Sequence, residues 1–478
     1  MSLNQFYNEA LRERLVSGMP VHGFEIFQNN FGTAEMRTVW GEDNMVQKWL
    51  ECEKAIALEM AELGLIPQEI AFEIEAFSKV ELVSPALIAR FMRETKHLGV
   101  SLVKAFNDQC TKSGEQYHLG LTTDDVLLTG LTLQIKEAHG LIHGQLLELE
   151  DVLMRQAERY KHTIMIGRTH GQHALPTTLG FLLAGWAGEI RDHIDRLEGL
   201  RERLFRAKYT AAVGTRASWV YLFGKTATRQ LVKGAAARLG LLDPVIDIQT
   251  RSDRLAEIGF VLANITTSLG KIGLTIRHYN AEEIREVQEP WDEASQHSSS
   301  TMPNKQNPEG CEWLDGLAKV AQGNASALMN VAVLNERDAT RMAPFLKCIA
   351  DNFLLTAAAL QKATHILGHL RVNEDQMRHN LYMTGGLVMA EAVMLALWRK
   401  TNEKVTAHSC LRDLAVRVQS GGEDFRTALL QDAYISSHLT ADEIDALLDP
   451  EDYIGDALEQ LESVLAQIRE RRAEVKST

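Results

Sequence analysis

Apolar residues recur at three- and four-residue steps over unusually long stretches of this chain. Leu179, Leu182, Leu183, Trp186, Ile190, Ile194, Leu197, Leu200 and Leu204 trace one apolar face and predict a single helix from about 178 to 208. The same spacing joins Leu255, Ile258, Val261, Ile265, Leu269, Ile272 and Ile276, and it continues after Pro308 through Trp313, Leu317 and Val320. A further helix is predicted from about 125 to 160. No proline interrupts the spans between Pro85 and Pro176, Pro176 and Pro244, or Pro344 and Pro450, so nothing there removes a helix hydrogen bond. Helices of roughly 25 to 35 residues are about twice the common globular length. With apolar residues on more than one face they bury best side by side, in a bundle that also recruits helices from other subunits. No unit repeats at a 30- to 45-residue period, which argues against a helical solenoid.

The first hundred residues read as shorter helices, one of them closed by "ELGLIP" at Gly64, and the last hundred, from about 368, as another helical piece. Strand-like alternation is scarce. The expectation is an all-α protein of three helical domains: residues 1–110, a central long-helix bundle over 111–366, and 367–478.

Charge narrows the function. The 478 residues carry 50 Lys+Arg against 64 Asp+Glu, a formal net charge of −14, which disfavours a general nucleic-acid or anionic-membrane binder but leaves room for a local basic pocket. Five cysteines (Cys52, Cys110, Cys311, Cys348 and Cys410) lie far apart with no C-x-x-C pair, suggesting neither a disulfide framework nor a zinc site. That pattern fits a reducing cytoplasm. The amino-terminal "MSLNQFYNEALRERLV" lacks a continuous apolar core and no later run reaches about 18 uncharged apolar residues, so a soluble, non-exported protein is expected.

Polar clusters fall at the ends of the long helices, where a bundle leaves pockets. "ETKHLG" carries His97. "YHLGLTTDDVLLTG" places His118 before Thr122, Thr123, Asp124 and Asp125, residues that start helices and whose exposed N–H groups attract carboxylates. By itself that is also what a plain cap looks like. "GRTHGQHALPTT" wedges Arg168, Thr169, His170, Gln172 and His173 before Pro176 at a chain reversal, more polar chemistry than a core usually absorbs. Finally "SSSTMPNKQNP" offers Ser299, Ser300, Lys305 and Asn307: hydroxyls, a cation and an amide suited to gripping a carboxylate. A solvent linker would explain its prolines but not Met302, nor the interlocking of lysine, asparagine and proline.

This last stretch resembles the G-S-S-x-M-P-x-K-x-N-P loop of the fumarase/aspartase superfamily. "HLGLTTDDV" is similar to that superfamily's T-S-x-D helix start, and "GRTHGQHALPTT" to its T-x-H region in the adenylosuccinate lyase and 3-carboxy-cis,cis-muconate cycloisomerase branch. "ETKH", "GGLVMAEAV" and "MRTVWGEDNMVQKWLECEKAIALEMAELGLIP" extend the likeness over nearly the whole chain. The resemblance implies three helical domains around a central bundle, a homotetramer whose active sites draw on three subunits, and anti β-elimination across a succinyl-type carbon pair without metal or organic cofactor. It implies Ser299 as catalytic base, His170 as acid or proton carrier, and Glu312 as the partner that orients a histidine. Lys305 and Asn307 would bind a substrate carboxylate, with Ser300 beside them. His97 and His118 match further active-site histidines, His118 as a possible sharer of the acid role, and Thr122, Thr123 and Gln249 match substrate contacts.

The departures concern the leaving group. Adenylosuccinate lyases typically carry an arginine-tyrosine pair near the start, where this chain has Asn30 and Phe31 in "NFGTAEM", so a phosphate would lose its forked cationic partner. After "ERD" the family has S-S-x-E-R, whereas here "ERDATRMAPFLKCIADN" places Arg341 and Lys347 at other positions. The loop has Ser298 for glycine, and Asn304 and Gln306 where H-K-R is common. The expected substrate is a small dicarboxylate-type molecule: an N-substituted aspartate that is not a nucleotide and that releases fumarate and an amine. The alternatives are carboxymuconate cycloisomerase chemistry and, from another class, a non-catalytic structural relative. No nucleic-acid or membrane partner is expected.

Overall fold

A computed structural model describes residues 26–27, 30–244, 253–294, 296–297, 299–331, 338–421 and 423–477, with side chains as far as 474. The protein is all-α, and its described strands are two short antiparallel pairs. The long helices predicted from the apolar spacing are present: α1 (Thr123–Arg159), α2 (Leu179–Glu198), α3 (Asp253–Tyr279) and α4 (Glu309–Met329); a further long helix, α5 (Ala350–Gly368), joins them. Their predicted apolar faces are the buried ones: Leu183, Ile190, Ile194 and Leu197 on α2, and Ile258, Ile265, Leu269 and Ile272 on α3, are wholly enclosed. On α4 the core face is Leu314 and Leu317, while Val320 is exposed. Helix α3 and the stretch Met342–Gly368 are long and apolar enough to cross a membrane, but 67% of each apolar window is buried within the protein, as bundle core requires.

The predicted helix from 178 to 208 ends early. After Glu198 the chain makes a single turn over Arg201–Leu204 and then runs extended. The reason is that the following N–H groups find partners outside any helix: Ala207 donates to Leu242 O, Lys208 to Thr129 Oγ1 and Thr210 to the Asp125 carboxylate. The reversal "GRTHGQHALPTT" is a hairpin of β1 (Ile164–Thr169) and β2 (Gln172–Thr178), with Thr169 opposite Gln172. The two-residue loop between them, His170 and Gly171, has φ of 54° and 73°, the left-handed pair that a tight hairpin turn demands. Gly171 adopts it freely; His170 holds a conformation uncommon for a side-chain-bearing residue.

The described chain divides into two compact units. One comprises the described residues up to Leu147 with those of His193–Leu269 and Asp315–Gln361; the other comprises those of Glu148–Asp192, Gly270–Leu314 and Lys362–Thr478. In the second, Glu150 is fully buried and accepts from Arg191 at 2.7 Å and from Arg472 of the terminal helix Ala457–Ser477 at 2.5 Å, which ties that helix down.

In the first unit the corresponding anchor is Asp125, also fully buried. Its two oxygens accept the backbone N–H groups of Thr122, Thr210 and Ala211, each at 3.0 Å, fixing the start of α1 against the extended segment after α2. Burial pushes its carboxyl up to about 6, against the pull of these donors and of the Lys208 charge. Removing the carboxyl in Asp125→Ala should strand the two buried N–H groups of Thr210 and Ala211 at about 1–3 kcal/mol each, seen as a large drop in the thermal unfolding midpoint. Because the folded value lies above the unfolded one of about 3.9, this group's contribution is complete at low pH and falls as pH rises through 6. Asp125→Asn should abolish that fall; a pH–stability curve identical to wild type would contradict the assignment.

Candidate active site

The first unit gathers four of the predicted residues. His97 is the N-cap of the helix Leu98–Asn107, its Nδ1 accepting the Val100 N–H at 3.2 Å, which leaves Nε2 as the ring atom able to meet a ligand. The second residue of that helix, Gly99, lies against Thr123: a Cβ there would sit 2.1 Å from Thr123 Oγ1, so only glycine lets the two helix starts approach this closely. Thr122 precedes the helix and Thr123 opens it, as predicted, so the positive end of a 37-residue helix begins at the residue against which Gly99 packs.

His118 stands at φ 63° in the turn leading to this helix start. Its Nδ1 lies 2.5 Å from Glu53 Oε1, and the Glu53 side chain is 2% exposed. Burial alone would lower the imidazole pKa, but the Glu53 charge and hydrogen bond, with Asp125 behind, raise it overall. A carboxylate on one ring nitrogen fixes the tautomer and leaves Nε2 to carry a transferable proton. Glu53 was not a sequence candidate. It is one of several charges on the helix Glu42–Glu62, between Glu51 and Lys54 and 65 residues before its partner, and nothing in the local sequence set it apart from them.

Next to Thr123, Asp124 is paired with Arg341: Nη2 meets Oδ2 at 2.6 Å, and the Arg341 side chain is 4% exposed. Lys347 pairs with Asp351 at 2.5 Å along its own helix. Both cations following "ERD" are therefore bound to carboxylates of the same unit.

The second unit holds the other described candidates. His170 is exposed at the hairpin tip. The hairpin is braced from below by Arg168, whose guanidinium forks onto Glu286 at 2.7 and 2.6 Å, and Asn380 donates to the same carboxylate at 2.8 Å. Glu286 is fully buried, so Arg168 is consumed in positioning the hairpin. In the serine-rich loop, Ser299 Oγ accepts the N–H groups of Met302 at 2.9 Å and Thr301 at 3.3 Å. Ser300 and Lys305 are exposed and Asn307 half-buried just before α4. Gln306 accepts from Arg371 at 3.0 Å.

The start of α4 is capped by Glu289, whose two oxygens take the Gly310 and Cys311 N–H groups at 3.0 Å, so this helix end is already occupied by an internal carboxylate. Glu312 meets Arg277 at 3.2 Å on exposed faces of α4 and α3; its partner within this unit is an arginine. Gln249 and Ser298 lie outside the described residues. Glu286, Asn380 and Glu289 carried no sequence signal, since each acts across 21 or more residues.

Comparison with known proteins places this geometry. Residues 30–323 match the lyase family and residues 386–464 the adenylosuccinate lyase C-terminus. The chain is 35% identical over 475 residues to adenylosuccinate lyase of Methanocaldococcus jannaschii, covering 99% of this chain and 100% of that one. It is 36% identical over 443 residues to N-acetyl-S-(2-succino)cysteine lyase of Dickeya dadantii, covering 92% and 96%. Its fold superposes with a TM-score of 0.85, at 31% identity and over 94% and 99% of the two chains, on the 3-carboxy-cis,cis-muconate lactonizing enzyme of Pseudomonas putida. The chain belongs to the lyase family of the fumarase/aspartase superfamily, in the branch that holds the adenylosuccinate lyases and carboxymuconate cycloisomerases.

Proposed function

We propose that this enzyme removes the amine from an N-substituted aspartate by anti β-elimination, releasing fumarate, and that its substrate is not a nucleotide. The observation carrying the second half is the Arg341–Asp124 pair: among the described residues, Arg341 and Lys347 after "ERD" both meet carboxylates of this chain, and Asn30 and Phe31 stand where an arginine–tyrosine pair would face a phosphate. The residues that match the succinyl-binding motif all remain.

The chemistry follows from charge. A base takes the proton beside a carboxylate, and the electron pair moves into that carboxylate as a dianionic aci-form. It returns to form the double bond as the carbon–nitrogen bond breaks, and the nitrogen leaves with a proton. Lys305, Asn307 and the N–H groups at the start of α1 supply cation and donors for the developing charge. Ser299 acts as base: the two loop N–H groups aimed at its oxygen favour the alkoxide, and loop closure that brings cationic groups to it would lower its pKa further, against the opposing cost of desolvation. His170 protonates the leaving nitrogen, and Glu53-held His118 is suited to share that role. Active sites assembled from three subunits of a homotetramer, with Glu312 orienting a histidine across subunits, fit this division of labour. No cofactor is needed in this scheme.

Carboxymuconate cycloisomerisation is the second reading. It is favoured by the fold match to the lactonizing enzyme and by the similarity of "NFGTAEM" and "TMPNKQNPEGCE" to that branch. The decisive assay incubates the enzyme with N-substituted aspartates, and with S-(2-succino) thioethers as the sulfur counterpart, following fumarate absorbance. Fumarate from the aspartates is the expected result; turnover of carboxymuconate with no fumarate from any of them would reverse the order.

Ser299→Ala should cut kcat by about 100- to 10,000-fold while the protein stays folded; near wild-type turnover would remove Ser299 from the role. Glu53→Gln deletes the charge that raises the His118 pKa. If protonated His118 supplies a proton, activity falls as pH rises through that pKa, so the fall should move to lower pH in Glu53→Gln. An unmoved limb would take His118 out of the proton path.

A further inference from the structure

Beside the His97–Thr123 cluster, the first unit contains a cavity of about 220 Å³ that the elimination chemistry does not use. Trp49, Met92, Leu98, Leu127, Met342 and Phe345 form much of its wall. Its polar lining residues are Glu42 and Gln134, and the Gln134 amide is spent on Val39 O at 2.9 Å. No cation lines it. An anionic group is therefore unwelcome, whereas an apolar one loses nothing by leaving water.

Three walls of this cavity begin at the candidate site. Leu98 directly follows His97. Leu127 lies one turn after Thr123 and hence on the same side of α1. Met342 follows Arg341, whose guanidinium holds Asp124 at that helix start. Leu346 and Ala89 line the cavity too and are exposed, so it is reached from solvent.

We propose that this cavity receives the apolar part, an aromatic ring or short alkyl chain, of the group that leaves with the amine. The inference rests on the proposed elimination and names the substrate class for it: aspartates bearing an apolar N-substituent. The volume agrees, since an apolar cavity of about 150 Å³ accommodates benzene, and 220 Å³ holds a ring with a short linker. The apolar cavity also stands where the chain following "ERD" enters, the stretch in which related sequences carry a phosphate-side arginine.

The test compares kcat/KM for N-benzylaspartate, N-methylaspartate and N-(2-phosphoethyl)aspartate. The benzyl compound should exceed the methyl one by about tenfold or more, and the phosphoethyl compound should be the poorest. Ala89→Phe fills the cavity from its exposed edge and should erase the benzyl-to-methyl ratio. Leu346→Arg, at a half-exposed position that tolerates charge, should shift preference toward the phosphoethyl compound and covers the case in which Ala89→Phe misfolds. Equal kcat/KM for benzyl and methyl compounds, or a ratio surviving both folded variants, would overturn the cavity's role alone. Absence of fumarate from every aspartate would overturn the elimination itself and this role with it.

Discussion

One buried carboxylate organises the first half of the candidate site. Asp125 takes three backbone N–H groups that belong to no helix or strand, and in doing so it fixes where α1 begins and how the extended segment after α2 passes that start. Everything chemically useful nearby is set by that junction: the turn that carries His118, the Thr122–Thr123 helix start, and Asp124 with its arginine. The burial that makes the anchor firm also raises the cost of its charge. A group of this kind stabilises through geometry rather than through net ionic attraction.

The same economy of buried charge recurs in the second unit. Glu286 holds Arg168 and Asn380 beneath the hairpin, and Glu289 closes the start of α4. These carboxylates hold the segments that carry the candidate residues. His170 sits at a hairpin tip with an uncommon left-handed backbone, and Ser299 takes two loop N–H groups on its oxygen; both remain candidates for the reactive groups. Rigid support beneath and exposed chemistry above is the arrangement that proton transfer to a positioned substrate requires.

Much of the fold was legible in the spacing of apolar residues. Long helices repeat a 3.6-residue period over many turns, so α1 to α4 were all located, and α1 close to its observed bounds. The failures have a common cause. The predicted helix to residue 208 broke because Ala207, Lys208 and Thr210 bond to groups 35, 79 and 85 residues away, and periodicity carries no information about such partners. Val320 continued the apolar pattern yet faces outward. Among the candidate site residues, those inside compact motifs (His97, His118, Thr122, Thr123, His170, Ser299, Lys305, Asn307 and Glu312) could be proposed from their neighbours, whereas the supporting Glu53 and Glu286 could not.

By itself the sequence determined the helical class, the superfamily and the residue types available for proton transfer, because each is encoded within a few turns or a dozen consecutive residues. Only the tertiary structure decided which charges are available to a substrate. Arg168 and Arg341 are bare charges in the sequence, and the fold pairs each with a carboxylate, Glu286 and Asp124. His118, an ordinary imidazole on paper, gains a carboxylate partner and a raised pKa. Pairing between distant residues is a property of packing, and it is pairing, not residue type, that settles what a charge can do.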